Sequence, residues 1–266
     1  MTLTSAQRSL AYPLVTVAAL LALWSWVVHA WGISAHLLPS PELVVARLWE
    51  GLSTGEMWPH IGATVVATLG GYALGCGSAI VVAAVLAEWQ PLERALYPLL
   101  LALQAMPKVS IAPLVLIWVG FDIQSQVILV ALICFFPIFA IALIGLRSVD
   151  PNLVDLYRAF SAGRLHVFLN VKLPAAADSI FAGLQVAVVF ALIGCVVMEF
   201  ITGRKGAGFL IENSANLLDT PLAIATMVAL GVLGVIGTQI VHFVHRRVVF
   251  WEAAAQSLHV SEVKGL

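Results

Sequence analysis

Six long stretches that are free of Asp, Glu, Lys and Arg, apart from one lysine, limit most strongly what this chain can fold into. They are residues 12–31, 61–87, 95–120, 123–146, 179–198 and 221–245, and the third contains Lys108. An α-helix rises about 1.5 Å per residue, so roughly 20 apolar residues cross the ~30 Å hydrocarbon core of a bilayer. Only 10% of the 266 residues are charged and 61% are hydrophobic, more than a water-soluble globule needs. The sequence predicts an all-α membrane protein with six transmembrane helices.

The basic residues predict the orientation of these helices, because Lys and Arg concentrate in the cytoplasmic loops of membrane proteins. With a cytoplasmic N-terminus, nine of the 13 basic residues lie on the cytoplasmic side, three lie outside and Lys108 is embedded. The cytoplasmic nine are Arg8, Arg94, Arg147, Arg158, Arg164, Lys172, Arg246, Arg247 and Lys264. The external three are Arg47, Arg204 and Lys205. We therefore expect both termini in the cytoplasm.

Small side chains inside the predicted spans indicate packing and not chemistry. Cys76, Cys134 and Cys195 are far apart and each lies in an apolar stretch, so we interpret them as buried hydrophobic residues. They lack the short paired spacing of metal ligands, and we expect no metal site. Gly71 and Gly75 have the spacing that lets helices approach closely in lipid.

The segment between the fourth and fifth predicted spans is polar yet helical in pattern. It includes DLYRAFSAGRLHVFLNVKLPAA, residues 155–176. Asp150 followed by Pro151 is a favourable helix start, and one apolar face is predicted from Leu153, Leu156, Tyr157 and Phe160. Small residues at 161–163 predict a turn before a second amphipathic helix. On periodicity alone, the pair fits equally an interfacial lipid surface or a surface that docks a protein.

The spacing in this segment resembles the EAA loop of permease subunits of bacterial ABC importers. That pattern is Glu-Ala-Ala, three residues, Gly, nine residues, Ile, one residue, Leu-Pro. Residues 155–157 take the first position, Ser161 the Gly position, Val171 the Ile position and 173–174 the end. Asp155 replaces Glu, and Ser161 replaces Gly. A positive φ needed at this turn falls either on Ser161 itself or on Gly163.

Other stretches resemble the nitrate, sulfonate and taurine branch of these permeases, which includes bicarbonate and vitamin-precursor importers. They include PLLLALQAMPKVSIAPLVLIWVGFD and MEFITGRKGAGFLI. The resemblance implies a type I ABC importer permease (MetI-like) fold in the bacterial inner membrane. It divides the chain into four parts. These are a cytoplasmic N-terminus (1–11), a first helix with an external amphipathic loop (12–58), a permease core (59–245) with a cytoplasmic coupling loop (147–178), and a cytoplasmic tail (246–266).

The resemblance also implies the partners. They are a second permease subunit, expected as a homodimer, two cytoplasmic ABC ATPases, a periplasmic or lipid-anchored substrate-binding protein, and membrane lipid, with no nucleic acid. No Gly-rich phosphate loop followed by Lys and Ser or Thr is present, so ATP and Mg²⁺ are expected on the ATPase and no cofactor on this chain. The implied function is ATP-driven import of a small, anionic solute, and no enzymatic activity.

By the same resemblance, the loop couples the permease to its ATPase. The residues assigned to this role are Asp155, Leu156, Tyr157, Arg158, Phe160, Ser161, Gly163, Arg164 and Pro174. Leu156, Tyr157 and Phe160 are the expected apolar anchors, and Arg158 and Arg164 the polar rim.

Four polar residues inside the spans are candidates for the transport pathway, because such residues are costly in lipid. Lys108 lies between two prolines, where a break in the helix is expected, and either pairs locally or attracts an anion. Gln104 lies one turn earlier on the same face. Glu199 either gates the external mouth or pairs with a basic residue of the following loop. Gln185 is a lone amide in the fifth span.

Two other classes of function stay open from the residues alone. A secondary carrier or channel with a lipid-facing basic loop is disfavoured because the first and last three spans show no inverted repeat. An integral-membrane enzyme would need His, Asp or Glu clustered at one membrane depth, and these residues are scattered.

Overall fold

The computed structural model describes residues 5–250, and the side chains of residue 12 and of residues 14–250. The ends of the predicted cytoplasmic segments, 1–4 and 251–266, lie outside this range. All regular structure in the described chain is helical. The α-helices are α1 (Ser5–Ala30), α2 (Pro41–Ser53), α3 (Trp58–Glu88), α4 (Gln90–Ala105), α5 (Ala112–Val119), α6 (Ile123–Arg147), α7 (Pro151–Ala159), α8 (Arg164–Val167), α9 (Leu173–Ala175), α10 (Ala177–Thr202), α11 (Ala207–Asn216) and α12 (Thr220–Val248).

Four of these helices are long and apolar enough to cross a membrane alone, namely α3, α6, α10 and α12. They coincide with the second, fourth, fifth and sixth predicted spans. The third predicted span is two arms: α4, and a 3-10 turn (Lys108–Ile111) that continues into α5, at 85° to each other. The apolar part of α1 among the described side chains, Leu14–Ala30, is shorter. The all-α membrane fold is confirmed, whereas the count of six spans is confirmed only in part.

The bend in the third span has a local cause. Pro107 has no amide hydrogen to donate, and the residue before a proline is pushed out of the helical region. Met106 is accordingly extended, with φ −71° and ψ 139°. The break expected around Lys108 is therefore present, but it turns the chain by 85° and does not merely interrupt a straight helix.

The chain forms two compact units. The smaller comprises Met1–Ala63 and Gly203–Gly231, and the larger comprises Thr64–Thr202 and Val232–Leu266. Only the parts of each unit within residues 5–250 are described. In the smaller unit, Ser40 caps α2, and Arg47 contacts Asp219 and Glu56 at 3.1 and 3.2 Å. The Ser25 hydroxyl donates to Glu42 at 2.7 Å and lowers the pKa of that carboxyl.

The core of the larger unit is built from small side chains where helices cross. Ala79 and Ala83 of α3, Ala142 of α6, and Ala187 and Ala191 of α10 have no exposed surface. Small residues at the contacts let backbones approach closely, which strengthens van der Waals packing in lipid. The three cysteines lie buried with free thiols, as the sequence predicts.

Gly75 lies at a close approach between the backbones of α3 and α6. A Cβ at this position would lie 2.5 Å from the carbonyl oxygen of Ala131 and 2.8 Å from its Cα. Backbone atoms cannot rotate away as the end of a side chain can. Gly75 therefore fixes how near the two helices lie, which confirms the close packing predicted at this position.

We predict that Gly75→Ala lowers the free energy of unfolding by about 1–3 kcal/mol, because it forces α3 away from α6. Gly77→Ala on the same helix is the matched control, since no atom lies within 4 Å of its added Cβ. It should leave stability unchanged or raise it by up to ~1 kcal/mol through helix propensity. Thermal unfolding in detergent measures both, and equal midpoints would contradict the steric explanation.

Candidate functional site

The loop between α6 and α10, residues 147–178, contains every residue predicted to couple this chain to a partner. Its first helix, α7, begins where the sequence predicts. The Asp150 carboxylate accepts a hydrogen bond from the Asn152 amide at 2.9 Å, and Pro151 occupies the first turn. The Asp150 carboxylate satisfies one of the amides that lack partners at a helix N-terminus, and Pro151 has no amide hydrogen that would need a partner. The start of α7 is therefore confirmed.

The apolar face of α7 points away from the protein. Phe160 is 81% exposed, Leu156 52% and Leu153 41%, while Tyr157 is half-buried. Val154 is the residue that packs inward, in a small cluster with Val167 and Val171. The sequence pattern missed Val154 because it lies beside the predicted stripe and not on it. An open depression of about 660 Å³ lies along this face and is lined by Leu156, Tyr157, Phe160, Ser161, Ala162, Gly163 and His166.

The turn after α7 is a Schellman motif centred on Ser161. The Ser161 amide donates to the Arg158 carbonyl at 2.8 Å, and the Ala162 amide donates to the Tyr157 carbonyl at 3.1 Å. Ser161 has φ +63°, whereas Gly163 has φ −69° and ψ 160°. Of the two alternatives left open by the sequence, the structure places the positive φ on Ser161 itself.

The second half of the loop is helical but not uniform. It passes from α8 through one π turn, Phe168–Lys172, into α9 and then α10. In the π turn the Leu173 amide donates to the Phe168 carbonyl, five residues back. Pro174 follows at once, and its ring crowds the carbonyl one turn earlier, which accounts for the widened turn. The predicted single amphipathic helix is therefore three short pieces.

The charged residues of the loop lie around the apolar face of α7. Arg158 and Asp155 form an exposed ion pair at 3.7 Å, with side chains 57% and 74% exposed. Arg164 lines a second open depression, of about 500 Å³, together with Ala84, Val85, Glu88, Trp89, Leu165 and Phe168. Arg158 is thus exposed on α7 and Arg164 lies in a separate depression, and their role as a polar rim stays a prediction.

Ion pairs that the sequence reasoning missed hold the two ends of the loop. Arg147, the last residue of α6, pairs with the buried carboxylate of Glu93. Lys172 pairs with Glu88 at 2.5 Å. The only signal in the sequence was the presence of isolated acidic residues at the start and end of apolar stretches.

A third contact lies at the start of α10. His245 of α12 contacts the Asp178 carboxylate at 2.7 Å and stacks on the Phe181 ring, with ring centroids 4.7 Å apart. Arg246 and Arg247 follow His245 directly, so the basic end of α12 lies beside the end of the loop.

The candidate pathway residues occupy different surroundings. Lys108 donates to the Gln104 carbonyl at 3.0 Å and lies 4.8 Å from the centre of the Phe136 ring, so it is partnered locally at the helix break. Glu199 is fully buried and accepts a hydrogen bond from Thr64 at 2.7 Å.

The structure brings some of these candidates together and separates others. Gln104 and Lys108 are adjacent at the end of α4. Gln185 is half-buried on α10, and it lies about 21 Å from Glu199 along the helix at ~1.5 Å per residue. Gln185 and Glu199 therefore do not form one polar pocket.

Comparison with known families matches most of the larger unit. The family described as the binding-protein-dependent transport system inner membrane component matches residues 75–250. This range contains the whole loop 147–178 and the helices on both sides of it. The chain belongs to this family. Its members are transport permeases and not enzymes, and the predicted assignment to ABC importer permeases is confirmed.

Individual relatives cover nearly the whole chain. The riboflavin transport system permease protein of Chloroflexus aurantiacus is 37% identical over 90% of each chain. The formylaminopyrimidine transport permease protein of Halalkalibacterium halodurans is 32% identical, over 78% of this chain and 85% of its own. A protein of Escherichia coli named for aliphatic sulfonates transport is 28% identical, over 88% of this chain and 89% of its own.

We predict that Ser161→Gly stabilises the turn after α7 by about 1 kcal/mol, because glycine adopts a positive φ without the Cβ clash of serine. Gly163→Ala is the matched control: its φ is ordinary and nothing lies within 4 Å of the added Cβ. Amide hydrogen exchange at Ala162 measures the effect, with protection rising roughly fivefold in the first variant only. Equal protection in both variants would contradict the conformational explanation.

Proposed function

We propose that this chain forms half of the transmembrane pathway of an ATP-driven importer, and that a separate ATPase acts on it through α7. The exposed apolar face of α7 carries the proposal, because Phe160 and Leu156 stand out from a short, capped helix beside an open depression. Apolar surface of this kind is typical of a site that another molecule covers. The matched spacing of the EAA loop, in a member of this permease family, supports an ATPase as that molecule.

The charges around α7 support a protein partner more than a lipid surface. Asp155 and Arg158 put both signs of charge beside the apolar residues, and both side chains are exposed. Apolar centres with polar rims are typical of protein interfaces. A helix that binds anionic lipid carries mainly Lys and Arg on its polar face, and Asp155 would be repelled there.

We further propose that the loop lies in the cytoplasm with both termini. The contact between His245 and Asp178 supports this orientation, since it puts Arg246 and Arg247 on the side where the basic residues of the loop lie. The substrate-binding protein would then meet the opposite side of the membrane. A second permease subunit, most simply a second copy of this chain, would complete the pathway.

For the substrate, we propose a small organic solute. The relatives described above are named as permeases for transport of riboflavin, formylaminopyrimidine and aliphatic sulfonates. Ring compounds and sulfonate-type anions are therefore the two classes to test. Lys108 bonds to the Gln104 carbonyl but stays half-exposed at the helix break, so we keep it as the candidate that attracts an anionic solute. The full burial of Glu199 favours a structural role over contact with the solute.

We predict that Phe160→Asp lowers ATPase co-purification at least tenfold, because it puts a charge at the centre of the apolar face. The amount of membrane-inserted chain should not change, since Phe160 is 81% exposed. Quantitative pull-down of the tagged permease, expressed with its partner ATPase, measures both quantities.

Leu217→Asp is the matched control for this experiment. Leu217 is 71% exposed at the turn between α11 and α12, on the side that the proposed orientation places opposite the loop. We expect full ATPase recovery with this variant. Undiminished recovery of the ATPase with Phe160→Asp would contradict the proposed docking of the ATPase at α7.

We also predict that the substrate-binding protein that works with this chain binds one of the two solute classes with micromolar or tighter affinity. Calorimetric titration against riboflavin, formylaminopyrimidine, taurine and an alkanesulfonate distinguishes them. Binding of a sulfonate would support the anionic class. Binding of a ring compound alone would exclude it, and no binding by any of the four would reject both classes.

A further inference from the structure

One short corner of the larger unit contacts both ends of the loop 147–178. This α3–α4 corner comprises residues 88–93, from the last residue of α3 to the first turn of α4. It carries two acidic residues, Glu88 and Glu93. Their partners, Lys172 and Arg147, come from the two ends of the loop, 25 positions apart in the sequence.

Both ion pairs are partly shielded from water. The side chain of Glu93 is 5% exposed, and that of Lys172 is 15% exposed. Screening by salt is weak for pairs that are partly buried, and removing one partner leaves the other charge without compensation. These pairs therefore hold their geometry better than the exposed pair of Asp155 and Arg158 on α7.

The corner also connects directly to the helix break. From Glu93, α4 runs to Ala105, and the 85° bend and Lys108 follow. Between the two anchored ends, the loop carries α7 with its exposed apolar face. A continuous path of bonded and paired groups thus leads from α7 through the corner and along α4 to the break.

We propose that the loop 147–178 and the α3–α4 corner move as one rigid body, and that the Glu88–Lys172 and Glu93–Arg147 pairs carry displacement of α7 into α4 and the helix break. This inference rests on the proposed ATPase docking at α7. The four charged residues are positioning residues, because they act on the pathway through α4 and touch no solute themselves.

A purely structural role for these pairs would give a different result. Pairs that only stabilise the fold would change the unfolding temperature and leave the response of α4 to the ATPase intact. The test therefore needs a reporter beyond the corner. Val109 is suitable, because it lies just after the bend, next to the half-exposed Lys108, and the residue is 45% exposed in the isolated chain. The native cysteines are buried, so we expect them to react slowly with aqueous thiol reagents.

The experiment uses the permease in complex with its ATPase, with Val109→Cys as the reporter. The rate of reaction with a water-soluble maleimide is measured with and without MgATP and vanadate, which trap the closed ATPase. We expect the rate to change at least threefold in the otherwise unmodified complex. In Lys172→Glu the change should be lost while the ATPase stays bound, because the apolar face of α7 is intact.

Charge exchange provides the decisive comparison. Lys172→Glu combined with Glu88→Lys should restore the response, and the conservative change Lys172→Arg should retain it. At the Glu93–Arg147 pair, Arg147→Gln should lose the response and Arg147→Lys should retain it. Arg94→Glu is the matched control: Arg94 is exposed next to Glu93 and has no ion pair within residues 5–250, so its reversal should leave the response unchanged.

The results separate this inference from the proposed function. If Lys172→Glu keeps both its ATPase and the full response, or if the exchanged pair does not restore it, the inference is overturned and docking at α7 stands. If the unmodified complex holds its ATPase but Val109→Cys shows no response, the inference is also overturned. If no ATPase co-purifies with the unmodified chain, the proposed function fails, and the inference fails with it.

Discussion

Hydrocarbon cannot form hydrogen bonds with a peptide group, and this constraint determines where the chain can bend. In α3, α10 and α12 every turn is helical and the backbone satisfies itself, and in α6 the only interruption of the hydrogen-bond pattern by a proline is at Pro137. Irregular backbone in the third predicted span is confined to the segment around Pro107. There the Lys108 ammonium group bonds to the Gln104 carbonyl, which the end of α4 leaves without a helical partner. The one lysine of the apolar stretches thus compensates for the one break in them.

The loop between α6 and α10 is stabilised differently from the long apolar helices. Its helices are short and are held by caps, a Schellman turn and ion pairs instead of by long apolar contact. Val154, Val167 and Val171 form its small core, while Phe160 stands in the open. Such a segment keeps a fixed shape without being buried. This is the property that a surface needs if it must bind a separate protein and pass motion to the helices on either side.

Local patterns predicted much of this molecule, because they depend on residues close in sequence. The four long spans follow from uncharged length, the start of α7 from Asp150 and Pro151, and the buried thiols from their apolar neighbours. The angle of 85° could not be predicted from the sequence, since prolines indicate a break in a helix but not the direction of the chain after it. The partners of Glu88 and Glu93 depend on how distant helices pack. Ser161 could not be distinguished from Gly163 because local spacing leaves the turn one or two residues uncertain.

The bent pair has a consequence for the surrounding bilayer. The eight residues of α5 rise about 12 Å, and the arm lies nearly at right angles to α4, so this part of the chain spans much less than the ~30 Å hydrocarbon layer. Lipid that met this face directly would have to thin, and such hydrophobic mismatch costs a fraction of a kcal/mol for each ångström. A neighbouring protein surface avoids that deformation. On the proposed function, the second permease subunit would lie against the short arm in place of acyl chains.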